Sequence, residues 1–165
     1  MIEITRQIAS DSDAIDTLMA EAFGPRRHER SVWHLRPGPP VPELCLVIRD
    51  GDMPVGSLRY WEVRLGDDVI LLLGPLAVRP GQRGLGYGKR LIDESLRRAA
   101  EGPWKLILVS GEVDYYPKFG FVPAAPYDLV WPGFIEPERL QFYELAAGAL
   151  AALAPGPLMV QAIQP

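Results

Sequence analysis

Apolar residues at Ile15, Leu18, Met19, Ala22 and Phe23 recur at helical spacing after Ser10-Asp11-Ser12-Asp13, a cluster rich in helix-capping side chains. This pattern predicts an amphipathic helix ended by Gly24-Pro25, with a short strand before it around Ile2, Ile4 and Gln7-Ile8. From Leu44 the period changes. Residues 44–49, 55–65 and 69–78 read as three strands divided by Asp50-Gly51-Asp52 and Gly66-Asp67-Asp68, and such short turns predict an antiparallel meander. Inside the third strand, Gly74-Pro75 interrupts an otherwise continuous apolar run. Proline has no N–H for a ladder, so a bulge or a splayed edge is expected there.

Between the first helix and the meander, Val32-Trp33 and Leu35 suit a short helix facing a core, which Pro37-Gly38-Pro39-Pro40 then breaks. After the meander, Leu91, Ile92, Leu96 and Ala99 form one apolar face of a second long helix, stopped by Gly102-Pro103. Residues 105–109 read as a strand and 114–119 as a short helix or turn. Phe121-Val122 and residues 140–145 read as the last strands, with proline-rich loop between them. The order β-α-α-β-β-β-α-β-α-β-β predicts an α/β (mixed α+β) fold with about seven strands and about four flanking helices. The sheet is expected to be mixed and mostly antiparallel. Neither a repeat nor a composition shift divides the chain, so a single domain over residues 1–165 is expected.

Composition narrows the function. Hydrophobic residues make up 48% of the chain, enough for one sizeable core. A net charge of -4 gives no long-range attraction for nucleic acid or an anionic membrane, and neither partner is expected. The single cysteine, Cys45, lies in the apolar run Leu44-Cys45-Leu46-Val47-Ile48 and reads as a buried small hydrophobe. Glu3 and the lack of a long apolar run near the start argue against a signal segment. The uncharged tail over 145–165 is broken by Pro155, Gly156 and Pro157, making it a poor membrane span. A cytoplasmic location is the resulting expectation. His28 and His34 have no third ligand at metal-binding spacing, so no metal is expected.

The candidate chemistry lies at the start of the second long helix. Arg83-Gly84-Leu85-Gly86-Tyr87-Gly88 joins a strand to a helix, where glycines allow close backbone approach and the first N–H groups lack internal partners. Such a terminus is an anion site. Helix starts ordinarily favour acids, yet Arg83, Lys89 and Arg90 crowd this one and the first acid is Asp93. Cations there suit a bound anion. A phosphate loop of the form G-x-x-x-x-G-K-S/T fails, because Arg83 stands at the first glycine and Arg90 replaces Ser/Thr. The dinucleotide form G-x-G-x-x-G fails at Lys89 in one register and at Leu91 in the other.

Leu76-Ala77-Val78-Arg79-Pro80, followed by that glycine loop, resembles motif A of the GNAT superfamily, R/Q-x-x-G-x-G/A after a strand ending L-x-V-x-P. Tyr115-Tyr116-Pro117-Lys118-Phe119-Gly120-Phe121 resembles the same family's Y-x-x-x-G-F segment. A helix and a strand separate the two, as in the family, and the predicted element order matches the GNAT fold over nearly the whole chain.

The resemblance implies an acyl-CoA-dependent N-acyltransferase. It would move an acetyl group from acetyl-CoA to a primary amine of a small molecule or protein. The backbone of Leu76, Ala77 and Val78 would hold the pantetheine arm, next to a splay at Gly74-Pro75. The N–H groups of Arg83, Gly84, Leu85, Gly86, Tyr87, Gly88 and Lys89 would cradle the pyrophosphate. Tyr116 falls at the family's general-acid position, and Tyr115 is its packing neighbour. Residues 69–78 lack the glutamate that many members use as a base; Glu112, Asp114 and Glu62 are the substitutes. That gap leaves a non-catalytic acyl-CoA-binding module as the alternative. The implied state is a monomer or homodimer. Arg26, Arg27, His28, Arg30, His34 and Arg36 read first as a solvated basic face, and second as a site for an anionic acceptor. Trp61, Trp104 and Trp131 read as packing residues.

Overall fold

The computed structural model describes residues 1–164. Its meander follows the alternating pattern. β1 (Ile2–Arg6) pairs antiparallel with β2 (Leu46–Asp50), β2 with β3 (Met53–Leu65), and β3 with β4 (Asp68–Val78). Asp50 pairs with Met53 and Leu65 with Asp68, so each hairpin turns on two residues. Gly51 (φ 63°) and Gly66 (φ 60°) lead those turns, in the left-handed conformation that matches the twist of the strands.

β3 is long enough to serve two partners along one edge. Its first half takes β2, and Val63, Arg64 and Leu65 take β9 (Leu158–Ala162). On the far side of β4 lies β5 (Leu106–Ser110), in parallel, and then β8 (Leu140–Glu144) and β6 (Val122–Pro123), both antiparallel. β7 (Leu129–Val130) runs parallel to β9. The mixed, mostly antiparallel sheet is therefore as expected, with nine strands among the described residues.

Helices cover both faces. α1 (Ser12–Phe23) buries Ile15, Leu18 and Met19 against Val47 and Ala77. α2 (Tyr87–Ala99) buries Leu91, Ile92 and Ala99 against Leu46, Ile48, Leu58 and Tyr60 on the other face. Ser95 shares that face, where its hydroxyl and that of Tyr60 bond at 2.7 Å. Cys45 is buried, as its apolar run implied.

Three expectations need correction. Residues 26–43 form no α-helix; the segment runs through 3-10 turns at Arg27–Glu29, Ser31–Leu35 and Pro42–Leu44. Arg30, extended at ψ 140°, interrupts the segment, and Pro37-Gly38-Pro39-Pro40 stops it beyond Arg36. The described residues thus hold three α-helices, the last a short one, α3 (Ala149–Leu153), in place of about four. Nor do residues 140–145 form the last strand: in β9, Leu158 and Val160 are buried while Met159 and Gln161 face out, the alternation of a half-buried strand. Finally, Asp11 at the head of α1 makes no side-chain cap. Both its oxygens take the Arg49 guanidinium, at 2.8 and 2.6 Å, which ties α1 to β2. No described helix is long and apolar enough to cross a membrane.

Candidate active site

The site begins where β4 leaves β5. The parallel ladder consists of Leu71 with Ile107 and Leu72 with Leu108, and stops there. On its other edge β4 stays paired to β3, but the register shifts between Leu58 and Tyr60, opposite Gly74-Pro75. Gly74 stands at φ 114°, a conformation that side-chain-bearing residues rarely adopt. The sequence expectation of a break at Gly74-Pro75 holds. Beyond the break, Leu76, Ala77 and Val78 pair only with Leu58, Ser57 and Gly56 of β3. The opposite edge, toward β5, is open, and an extended ligand can add to such an edge as a strand would.

The open edge leads into the glycine loop. A 3-10 turn at Pro80–Gln82 reverses the chain into Arg83, Gly84, Leu85 and Gly86, all exposed. Gly84 (φ 84°) and Gly86 (φ 81°) are left-handed, and nothing lies within 4 Å of where their Cβ atoms would be. Among the described residues, no backbone N–H from Arg83 to Lys89 donates to a backbone carbonyl; the first to do so is Arg90, to Gly86 at 3.0 Å. A row of free donors therefore caps the positive end of α2, whose first turn holds no acid. Lys89 pairs with Asp93 at 2.7 Å, and Arg83 donates to the Val78 carbonyl at 3.3 Å. Open space, free N–H groups and a helix dipole make this an anion cradle.

The two tyrosines have different surroundings. The Tyr115 hydroxyl lies 2.8 Å from where a Gly88 side chain would start, a point that Val78 and Leu76 also approach to within 4.0 Å. Tyr115 therefore borders the cradle. Tyr116 is buried, with one edge of its ring in the space that a side chain at Gly111 would need. Phe121 and Tyr115 pack around it edge-on. Burial raises the Tyr116 phenol above its usual value, while the nearby Arg36 charge opposes that rise. Gln141, buried in β8, anchors the segment by donating to the Gly111 and Glu112 carbonyls at 3.4 and 3.3 Å. A lone glutamine in a strand carries no such signal in the sequence.

Arg36 is the residue the sequence reading placed least well. It is only partly exposed, stacked over Trp33 with 4.6 Å between the guanidinium carbon and the ring centroid. A contact of this kind contributes about 0.5–2 kcal/mol. Its Nη2 lies 2.9 Å from the Cβ position of Gly74, at the strand break. Burial pulls Arg36 down to about 9, still above neutral pH, so the group stays charged.

The substitute bases lie on β3 and on the loop before Tyr115, where, beyond the effect of burial, the Glu112 charge helps raise both phenols. Glu62 accepts from Trp104 Nε1 at 2.8 Å on the exposed side of β3, while Glu112 and Asp114 are exposed on the loop before Tyr115. Trp131 packs as expected, buried and bonded to Ser31 at 2.8 Å. Among the described residues, no three His, Cys, Asp or Glu side chains gather as metal ligands would.

Known proteins share the fold. A family profile described as an acetyltransferase (GNAT) domain matches residues 42–123, which run from the turn before β2 to β6. The chain is 30% identical to the uncharacterized N-acetyltransferase YjhQ of Escherichia coli K12 over 128 residues, 73% of this chain and 71% of that protein. It is 28% identical to the uncharacterized N-acetyltransferase YhbS of the same strain over 148 residues, 87% of each. The crystal structure of Escherichia coli YhbS in complex with CoA superposes with a TM-score of 0.78, covering 96% of this chain and 88% of that one. A GNAT family acetyltransferase from Brucella melitensis in complex with acetyl-CoA, 20% identical, shares the fold at a TM-score of 0.69, over 99% and 96% of the two chains.

Proposed function

Because this chain belongs to the GNAT acetyltransferase family and is an acyl-CoA-dependent acetyltransferase, we propose that it transfers acetyl from acetyl-CoA to a primary amine with Tyr116 as general acid. The observation that carries this reading is the open edge of residues 76–78 running directly into the unpaired N–H groups of residues 83–89. An extended pantetheine arm with amide groups matches the edge, and a pyrophosphate matches the cradle. The CoA bound in YhbS and the acetyl-CoA bound in the Brucella melitensis protein support the same ligand here.

The thioester then reaches the break at Gly74-Pro75. A neutral amine attacks the thioester carbonyl; the C–N bond forms, the C–S bond breaks, and the thiolate departs. A backbone N–H beside the break steadies the oxyanion. The amine nitrogen releases one proton to solvent or a base, and Tyr116 gives one to the sulfur. A phenol's ordinary pKa of about 10 lies close above a thiol's roughly 8.5, and burial lifts Tyr116 above that, so it holds its proton until the thiolate forms. Tyr116 is preferred to Tyr115 because it stands at the family's general-acid position and feels the Arg36 charge, whereas Tyr115 borders the cradle at Gly88.

Calorimetric titration of acetyl-CoA into the wild type and Gly86→Asp tests the cofactor site. A carboxylate at the cradle should weaken binding by about 100-fold or more, through repulsion and strain at φ 81°. Undiminished affinity in a folded Gly86→Asp protein would refute this placement.

A further inference from the structure

Arg36 holds a charge that nothing in the described protein neutralises. Its Nε is sealed from solvent and has no hydrogen-bond partner. Among the described residues, the ion pairs engage Arg26, Arg49, Lys89, Arg97 and Arg98, and none engages Arg36. Trp33 supports one face of the guanidinium and Nη2 fills the space that a side chain at Gly74 would need, so Arg36 lies at the strand break and is not a free surface arginine. A half-buried cation without an anion is costly, and the cost is relieved when an anion docks on it.

The cofactor does not supply that anion. Its phosphates belong at residues 83–89, beyond the three extended residues 76–78, which alone span about 10 Å. The acyl thioester at the break is neutral. The remaining participant is the acceptor, which must bring its amine to this same point. A planar guanidinium matches a carboxylate through two parallel hydrogen bonds.

Building on the acetyl-CoA reading above, we infer that Arg36 binds a carboxylate of the acceptor, so that the substrate is an amino-acid-like amine held by its acid group while its amino group meets the thioester at Gly74. Trp33 is then a positioning residue, keeping the guanidinium flat and aimed at the break. The basic cluster separates accordingly: Arg26 pairs with Glu29 in solvent, Arg27 donates to the Gly24 carbonyl, and Arg36 alone among them reaches Gly74.

The test compares amino acids with their own carboxamides, using acetyl-CoA and following thiol release, in wild type, Arg36→Lys and Arg36→Gln. The α-, β- and ω-amino acids all belong in the panel, because the spacing of amine and acid is part of the answer. Wild type should favour the carboxylate member of at least one pair by about 30-fold or more in kcat/KM, the scale of losing one side of a buried charge pair. Arg36→Gln should bring that ratio close to one, mainly through KM, and Arg36→Lys should retain part of it.

The carboxamide rate serves as the internal reference, because any effect of Arg36 on Tyr116 acidity lowers both members alike. Equal losses with both members would overturn the inference, assigning Arg36 to the oxyanion or to the fold. A wild type with no preference for carboxylates, or with no activity on the panel, would overturn it even if Arg36→Gln failed to fold. Calorimetry with acetyl-CoA separates the two levels: wild type that binds acetyl-CoA but ignores carboxylates defeats this inference alone, whereas wild type that does not bind acetyl-CoA defeats the proposed function itself.

Discussion

At the scale of single residues, the two adjacent tyrosines show how a one-residue register decides chemistry. Their rings meet edge-on at 5.2 Å, yet Tyr115 carries its hydroxyl to Gly88 while Tyr116 is buried against Gly111. Tyr116→Phe keeps the ring that packs on Gly111 and removes the proton. Turnover should fall by about 10²-fold or more while acetyl-CoA affinity holds. Tyr115→Phe should instead act on affinity, leaving turnover near normal at saturation. Steady-state rates and calorimetry on both variants decide the matter; a crippled Tyr115→Phe beside an active Tyr116→Phe would move the acid by one position. The raised Tyr116 value also sets a direction for pH. A buried phenol keeps its proton beyond the usual value of about 10, so Tyr116 itself imposes no fall in rate between neutral pH and that value.

At the scale of elements, β4 has two halves with different duties. Up to Leu72 it is an interior strand of the sheet; past Gly74-Pro75 it presents a free edge. Its second half is steadied from beneath by α1, which packs Ile15, Leu18 and Met19 around Ala77. The start of α1 is in turn held by Asp11 on Arg49. Removing one partner of this charged pair should cost about 1–3 kcal/mol at neutral pH. The Arg49 hydrogen bond holds the Asp11 carboxyl below its ordinary value, so the sign follows directly. Its stabilisation is fully present above an unfolded value of about 3.9 and is lost as pH falls through the lower folded value. Asp11→Asn should therefore trail the wild type in urea unfolding at pH 7, and the gap should narrow in acid. A gap that stays constant down to the lowest pH at which both proteins fold would show that the pair does not act this way.

At the scale of the whole molecule, the proposed cofactor site spans β4, the glycine loop and the start of α2, so ligand binding there would draw on the folded arrangement of all three. Acetyl-CoA at about 100 times its dissociation constant should stabilise the folded state by about 2.7 kcal/mol. For a domain of this size that corresponds to a rise in Tm of about 5–10 °C. Hydrogen exchange should slow at residues 76–78 and 83–89 together. Protection confined to other parts of the chain would contradict the assignment of the cradle.

Much of this was legible in the residues because it rests on local rules. Hairpin turns need left-handed glycines, so Gly51 and Gly66 marked the meander. Proline cannot join a ladder, so Gly74-Pro75 marked the break. Glycines between a strand and a helix with cations and no acid marked the anion cradle. Each of these depends on backbone chemistry within a few positions. The tertiary structure decided what depends on distant partners. β9 exists because Val63, Arg64 and Leu65 offer it an edge, and Gln141 steers the tyrosine turn from another strand. Arg36 is indistinguishable by sequence from the basic residues around it. Only the path of the 3-10 turns, with Trp33 beneath and Gly74 beside it, turns one arginine of that cluster into a half-buried charge at the strand break. Burial and pairing are properties of packing between distant segments, and no local pattern encodes them.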